Sequence, residues 1–239
     1  MAGGGRLADR VVVITGASRG LGRATAEACA QEGARLVLVA RTKGALEEVD
    51  DVVRRHGAEA TLVALDLLKG ELVDALGGAL YERFGRIDGL VAAAAELGPI
   101  TPVSHLEPKA FEQALRVNLI ANHRLIRSLD PLLRVAPDAR AVFVTDAAAG
   151  PPGRAYWGGY AASKAGLEAL VQAYAAKLRL TRLRVNLFDP GPMATRLRAK
   201  AYPGERPETL PDPAAAAGAI VGLLLPSCDR HGELVRLRA

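Results

Sequence analysis

The chain has 239 residues, half of them hydrophobic, enough for one well-buried α/β domain. Its net charge of +5 is carried by scattered arginines with only 4% aromatic residues. That argues against a nucleic-acid surface and suits an anionic small ligand. No apolar run reaches the roughly 18 residues of a membrane span.

The elements alternate from the start. The first ten residues, Met1 to Arg10, are Gly-rich and polar and lack the apolar core of a signal peptide. Short apolar runs follow at Arg10–Thr15, Arg35–Ala40, Ala60–Leu65, Gly89–Ala93, Ala141–Thr145 and Leu183–Leu187. They read as parallel strands covered on both faces. Amphipathic stretches near 20–32, 42–56, 69–84, 108–134 and 157–179 read as the helices between them. This rhythm predicts an α/β domain, a doubly wound parallel sheet with helices on both faces. A last short strand is expected near Glu233–Leu237. There is no internal repeat and no linker, so residues 1–239 read as one domain. Pro190–Pro213 breaks the rhythm with six prolines and two glycines. It is expected to be a mobile substrate loop with little helix. Cys29 and Cys228 are far apart and lack metal-ligand spacing. They predict neither a disulfide framework nor a metal site, and a reducing cytoplasm.

The first strand runs into Gly16-Ala17-Ser18-Arg19-Gly20-Leu21-Gly22 and then a helix. Glycines let a backbone approach a pyrophosphate, and a helix N-terminus offers it free N–H groups. The same glycines would also serve a tight βα turn. An acid at the end of the second strand would bind the ribose 2′-hydroxyl of NAD. That position is Ala40, with Arg41 after it and Arg19 inside the glycine turn. Two guanidiniums and no carboxylate suit a 2′-phosphate, so NADP is expected over NAD. Two plain surface arginines are the other reading. Asp66, ending the third strand, is placed either for an adenine edge or as the N-cap of the next helix.

Tyr160-Ala161-Ala162-Ser163-Lys164 sets a phenol and an ammonium four residues apart, on one face of a helix. A cation beside a phenol favours the phenolate, so the tyrosine is expected below its usual value of about 10. Such a group exchanges protons near neutral pH.

Together these residues resemble the short-chain dehydrogenase/reductase family. The resemblance rests on Thr15–Gly22, Asp66, Asn118, Tyr160-x3-Lys164, and Asn186 followed by Pro190-Gly191-Pro192-Met193-Ala194-Thr195, in the family's order and spacing. It covers nearly the whole chain and implies a Rossmann fold binding NADP(H). It implies that Tyr160 is the acid in carbonyl reduction and the base in alcohol oxidation. Lys164 would bind the nicotinamide ribose, and Asn118 would hold a water in a relay reaching Lys164. Thr195 would contact the carboxamide. Leu67, Ala93, Pro190 and Gly191 would border the cofactor. The implied substrate is a small carbonyl compound or alcohol. The long helical stretch Pro108–Leu133 and the helix of Lys164 would pair across a two-fold axis, giving a homodimer or homotetramer.

Two positions depart from that pattern. The family's catalytic serine lies thirteen residues before the tyrosine, where this chain has Ala147. Losing one donor to a developing oxyanion costs roughly 2.7–4 kcal/mol, or 10²–10³ in rate. The family's Asn-Asn-Ala-Gly is here Ala92-Ala93-Ala94-Ala95. The reading that follows is an NADP-dependent reductase working without the serine. The alternative is a cofactor-binding protein with little or no catalysis, a sensor or a silent oligomer subunit.

Overall fold

The computed structural model describes residues 5–237. Seven strands form one sheet: β1 (Val11–Thr15), β2 (Arg35–Ala40), β3 (Ala60–Ala64), β4 (Gly89–Ala92), β5 (Arg140–Val144), β6 (Arg184–Asp189) and β7 (Leu234–Arg236). Their order is β3-β2-β1-β4-β5-β6-β7, and every neighbouring pair is parallel. The expected strands are present with ends shifted by one or two residues; β6, for example, runs on to Asp189 rather than stopping at Leu187.

Alternation along the strands sends side chains into two cores. Val11 and Val13 of β1 pack with α3 (Gly70–Phe84), α5 (Ala121–Val135) and α6 (Gly158–Lys177). Val12 and Ile14 pack with α1 (Gly20–Gln31), α2 (Lys43–Arg55) and α8 (Pro213–Leu224). Helices therefore cover both faces, as βαβ crossovers require. The chain turns out from β1 to β2 and β3, then returns to place β4 on the other side of β1. The strand order reverses there, and a crevice opens at the carboxyl ends of β1 and β4.

Two expectations are corrected. Helix α8 was not foreseen: its sequence, PAAAAGAIVGLL, is apolar almost all round and shows no amphipathic contrast. Its start was marked, because Asp212 caps it by accepting from the Ala214 N–H, with Pro213 at the first helical position. The stretch Pro190–Pro213 carries the little helix expected of it: one short helix, α7 (Arg196–Ala201), capped by Thr195, and a 3₁₀ turn at Pro207–Thr209. The long helix expected at 108–134 is α4 (Pro108–Leu115), a π-helical turn at Arg116–Ile120, and α5.

The α3–α5 contact depends on a missing side chain. The Gly77 N–H donates to Ser128 Oγ at 2.8 Å, and that hydroxyl donates to the Asp74 carbonyl at 3.1 Å. A Cβ on Gly77 would enter the Ser128 carbonyl. Gly77→Ala should therefore lower stability by about 1–3 kcal/mol through overpacking, despite alanine's better helix propensity. Urea unfolding measures this, and an unchanged midpoint would contradict the packing described.

Candidate active site

All the loops that face the crevice leave the carboxyl ends of strands. They line one cavity of about 760 Å³. Its walls include Gly16, Ser18, Arg19, Gly20, Leu21 and Gly22 after β1, Arg41 after β2, and Asp66 and Leu67 after β3. Ala93 after β4, Tyr160 and Lys164 on α6, and Pro190, Gly191 and Thr195 after β6 complete the expected set. Of the expected site residues, Asn118 alone does not line this cavity.

The glycine turn is shaped by close approach. Gly16 has φ +68°, and a Cβ there would lie 2.8 Å from the Ala94 Cα. The turn and the alanine run are packed back to back. A Cβ on Gly22 would collide with the Gly16 carbonyl. No side chain caps the first turn of α1, where Arg19 is the extended N-cap residue. Its N–H groups are left for a ligand, so the cradle suits a phosphate. Thr195 reaches the turn from the far side: its Cγ2 lies 3.4 Å from where a Gly20 Cβ would sit. Arg19 and Arg41 are both exposed at the rim. Asp66 does not cap α3, whose N-cap is Lys69. Its Oδ1 accepts from the Leu68 N–H at 3.0 Å, an Asx turn that fixes the carboxylate at the cavity wall.

Asn118 sits in the π-helical turn and is fully buried. Its Oδ1 accepts from the Glu96 N–H, and its Nδ2 donates to the Glu96 carbonyl and to Ser163 Oγ, each at 2.8 Å. Asn122 Nδ2 donates to the Asn118 carbonyl, which supports the widened turn. Ser163 Oγ in turn donates to the Tyr160 carbonyl at 2.7 Å. Asn118 thus ties the segment after β4 to the helix carrying Tyr160 and Lys164.

Lys164 is 1% exposed, and its ammonium donates to the Val144 carbonyl at 2.8 Å. Burial pushes it down to about 8, against the pull of Asp146 and Glu168. Its Nζ lies 5.7 Å from the centroid of the Tyr160 ring. Tyr160 does not behave as the sequence suggested. Its phenol is held well above its ordinary value, first by burial and then by Asp146 and Asp189. The ammonium is itself desolvated and committed to a backbone carbonyl, and two carboxylates outweigh it. The Tyr160 hydroxyl donates to Asp146 Oδ2 at 3.4 Å.

Residues 10–206 match the short chain dehydrogenase family. The chain belongs to that family. It is 36% identical over 211 residues to the uncharacterized oxidoreductase YciK of Escherichia coli K12, covering 87% of this chain and 83% of that one. A short chain dehydrogenase structure from Pseudomonas syringae matches with a TM-score of 0.93 and 36% identity, over 99% of this chain and 97% of that one. Another, from Shigella flexneri and complexed with NADP, matches at 0.91 and 32%, over 98% and 99%.

This member of the short chain dehydrogenase family holds several site residues that its motifs did not announce. Asp146 lies two residues past the end of β5, and its Oδ1 accepts from the Ala148 N–H at 2.8 Å, starting the 3₁₀ turn that contains Ala147. Asp189 is 5% exposed, and its Oδ1 accepts from the Gly191 N–H at 3.0 Å. Burial raises its carboxyl above the ordinary range. At the mouth, Trp157 packs edge-on to Tyr160, with ring centroids 5.7 Å apart. Arg154 lies 5.0 Å over Trp157 and donates to the Tyr202 hydroxyl at 2.5 Å. Arg198 lies 3.8 Å over Tyr202 and forms a two-pronged ion pair with Glu205. The aromatic spacing around Trp157 and Tyr202 was the available signal, but the two are 45 positions apart in sequence.

The buried ammonium gives stability a defined pH dependence. Below about pH 8 the folded and unfolded chains both hold the Lys164 proton, and the folded chain bears the full desolvation cost. Between about 8 and the ordinary value of 10.5 the unfolded chain binds more protons, so stability rises with pH. Lys164→Met lacks this rise. Over that interval the stability difference should move toward the wild type by about 3 kcal/mol, since each pK unit is worth about 1.4 kcal/mol. Urea unfolding of both proteins across this range measures it, and a pH-independent difference would refute the assignment.

Proposed function

We propose that this protein is an NADP(H)-dependent oxidoreductase that interconverts a small carbonyl compound and its alcohol without a serine donor. The observation that carries the reading is the buried Tyr160–Lys164 pair opening into the same cavity as the glycine turn. The NADP complex of the Shigella flexneri relative supports the cofactor. Arg19 and Arg41 at the rim, with Ala40 where an acid would favour NAD, support the 2′-phosphate.

In this reading Gly16, Ser18, Gly20, Leu21 and Gly22 cradle the pyrophosphate, and Asp66, Leu67 and Ala93 border the adenosine side. Pro190, Gly191 and Thr195 hold the nicotinamide end. When bound, the dinucleotide supplies the hydride that reaches the carbonyl carbon. Tyr160 gives its phenolic proton to the carbonyl oxygen, so ketone and NADPH become alcohol and NADP. The high proton affinity of the phenol keeps it charged with that proton at neutral pH. Lys164 turns from the Val144 carbonyl toward the ribose and brings positive charge to the phenolate left behind. Asn118 keeps Glu96 and α6 in register and positions a water on the path from Lys164. Cys29 and Cys228 are free thiols, which supports a reducing cytoplasm. Pairing of α4–α5 and α6 across a two-fold axis gives a homodimer or homotetramer, and Pro190–Pro213 serves as a mobile substrate segment.

A second reading is a non-catalytic NADP-binding protein. Ala147 and the engagement of the Tyr160 hydroxyl by Asp146 favour it. The two readings share the cofactor and part at the chemistry.

Calorimetry should find NADPH bound more tightly than NADH. Arg41→Asp should narrow or reverse that preference, because a carboxylate would then face the 2′-phosphate. Equal affinities in the wild type would remove the basis for NADP.

Ala147→Ser should raise NADPH-dependent turnover of a generic dicarbonyl or quinone by about tenfold or more, since one added donor can stabilise an oxyanion by a few kcal/mol. Tyr160→Phe should abolish the activity. Tight NADPH binding with no turnover in either the wild type or the serine variant would establish the non-catalytic reading.

A further inference from the structure

The cavity wall beside Tyr160 carries a polar group that the reaction so far leaves without a task. Asp146 is half-buried and lines the cavity next to Ala147. Its two oxygens differ in their work. Oδ1 is occupied as the cap of the Ala147–Ala149 turn, accepting from the Ala148 N–H at 2.8 Å. Oδ2 meets the Tyr160 hydroxyl at 3.4 Å, longer than the roughly 2.5–3.0 Å of a well-formed O–H···O bond. An ionised carboxylate has about four acceptor positions, so Oδ2 retains unused capacity on the cavity side. The cap fixes its direction. The neighbouring residue is alanine, which offers no hydroxyl to occupy it.

The charges around this point are Lys164, bonded to the Val144 carbonyl, Asp189 at the end of β6, and Arg198 on α7, which is bound by Glu205. None of these bonds engages Oδ2. A plain ketone delivered to the Tyr160 hydroxyl brings an acceptor, and then a developing negative charge, up to a carboxylate oxygen. Nothing in that pairing is favourable. The pairing changes if the carbon beside the reacting one bears a donor. The phenol then donates to the reacting oxygen while Oδ2 accepts from its neighbour, a two-pronged grip across the 3.4 Å between them.

We infer that Asp146 is a specificity-determining residue, selecting substrates with a hydrogen-bond donor, hydroxyl or ammonium, on the carbon adjacent to the reacting one. This rests on the oxidoreductase reading and names the substrate class of that same site: vicinal diols and α-hydroxy ketones, or their amino counterparts. A site that offers an acceptor to a substrate donor discriminates against the analogue that lacks it, because the acceptor is then left facing no partner.

Three ring alcohols of nearly equal size test the inference: cyclohexanol, trans-cyclohexane-1,2-diol and trans-2-aminocyclohexanol. With NADP, the wild type should oxidise at least one of the two substituted alcohols with kcat/KM about tenfold or more above cyclohexanol. The arm that gains separates hydroxyl from ammonium as the preferred donor. Asp146→Asn is the decisive variant. Its carbonyl oxygen still caps the turn, so the fold is kept, while an N–H₂ replaces Oδ2 and reverses its polarity. The preference should fall to within about twofold. Asp146→Ser, also a good cap, should do the same. Saturation-transfer NMR on the protein, with and without NADP, should show the same ranking as binding. That arm keeps the test independent of turnover. Loss of NADPH binding in calorimetry would end the oxidoreductase reading, whereas the NMR ranking and its Asp146 dependence would still decide this inference. No preference in the wild type, no binding of any of the three, or a preference unchanged in both variants overturns it.

Discussion

Lys164 keeps an ammonium away from water, with the Val144 carbonyl as its bonded partner. Taking such a charge out of solvent is expensive, and the surrounding fold has to hold it in place. Much of the architecture serves that end. The end of β5 presents the Val144 carbonyl, and Thr145 beyond it donates to Glu168 at 2.7 Å, one helical turn past Lys164. The helix carrying the lysine is fixed by Ser163, whose hydroxyl links the Tyr160 carbonyl to Asn118. Asn118 in turn secures Glu96. Lys164 thus ties α6 to the end of β5, while Asn118 and Ser163 tie the same helix to the segment after β4.

The same arrangement explains why Tyr160 is a strong holder of its proton. A lysine four residues on would favour the phenolate if both groups were solvated and facing each other. Here the lysine is turned to a backbone carbonyl, and the phenol is 5% exposed against a carboxylate. The proton affinity of the phenol is thus set by its burial and its carboxylate neighbours rather than by the motif alone.

The sheet and most helices were legible because buried parallel strands are short and apolar and the helices between them are amphipathic. Helix α8 was not, because a helix buried on most sides has no contrasting face, and only Asp212-Pro213 marked its start. The glycine turn, Tyr160 and Lys164 were legible as parts of one cavity because their order along the chain matched a family pattern, although the spacing alone did not give their electrostatics. The bonds made by Asn118 were not, since they depend on a π-helical turn whose support comes from Asn122, four residues on. Asp189 was missed as a neighbour of Tyr160 because it ends β6, and only sheet order brings β6 beside β5. The phenol's proton affinity was misjudged for a related reason: sequence gives the lysine's position on the helix but not the carbonyl that claims it.

The alanine run after β4 also has a bearing on what governs ligand binding. Gly16, Ala93, Ala94 and Ala95 form a cavity floor without a single ionisable or hydrogen-bonding side chain, held to shape by the close approach of two backbones. A floor of this kind contributes contact and peptide dipoles alone, and neither acid nor salt changes it much. The charged side chains stand around it instead: Arg19 and Arg41 after β1 and β2, Asp66 after β3, and Arg154, Lys164 and Arg198 among those near Tyr160. Ionic strength therefore acts on a ligand through these surrounding charges, while its contacts with the apolar floor stay the same.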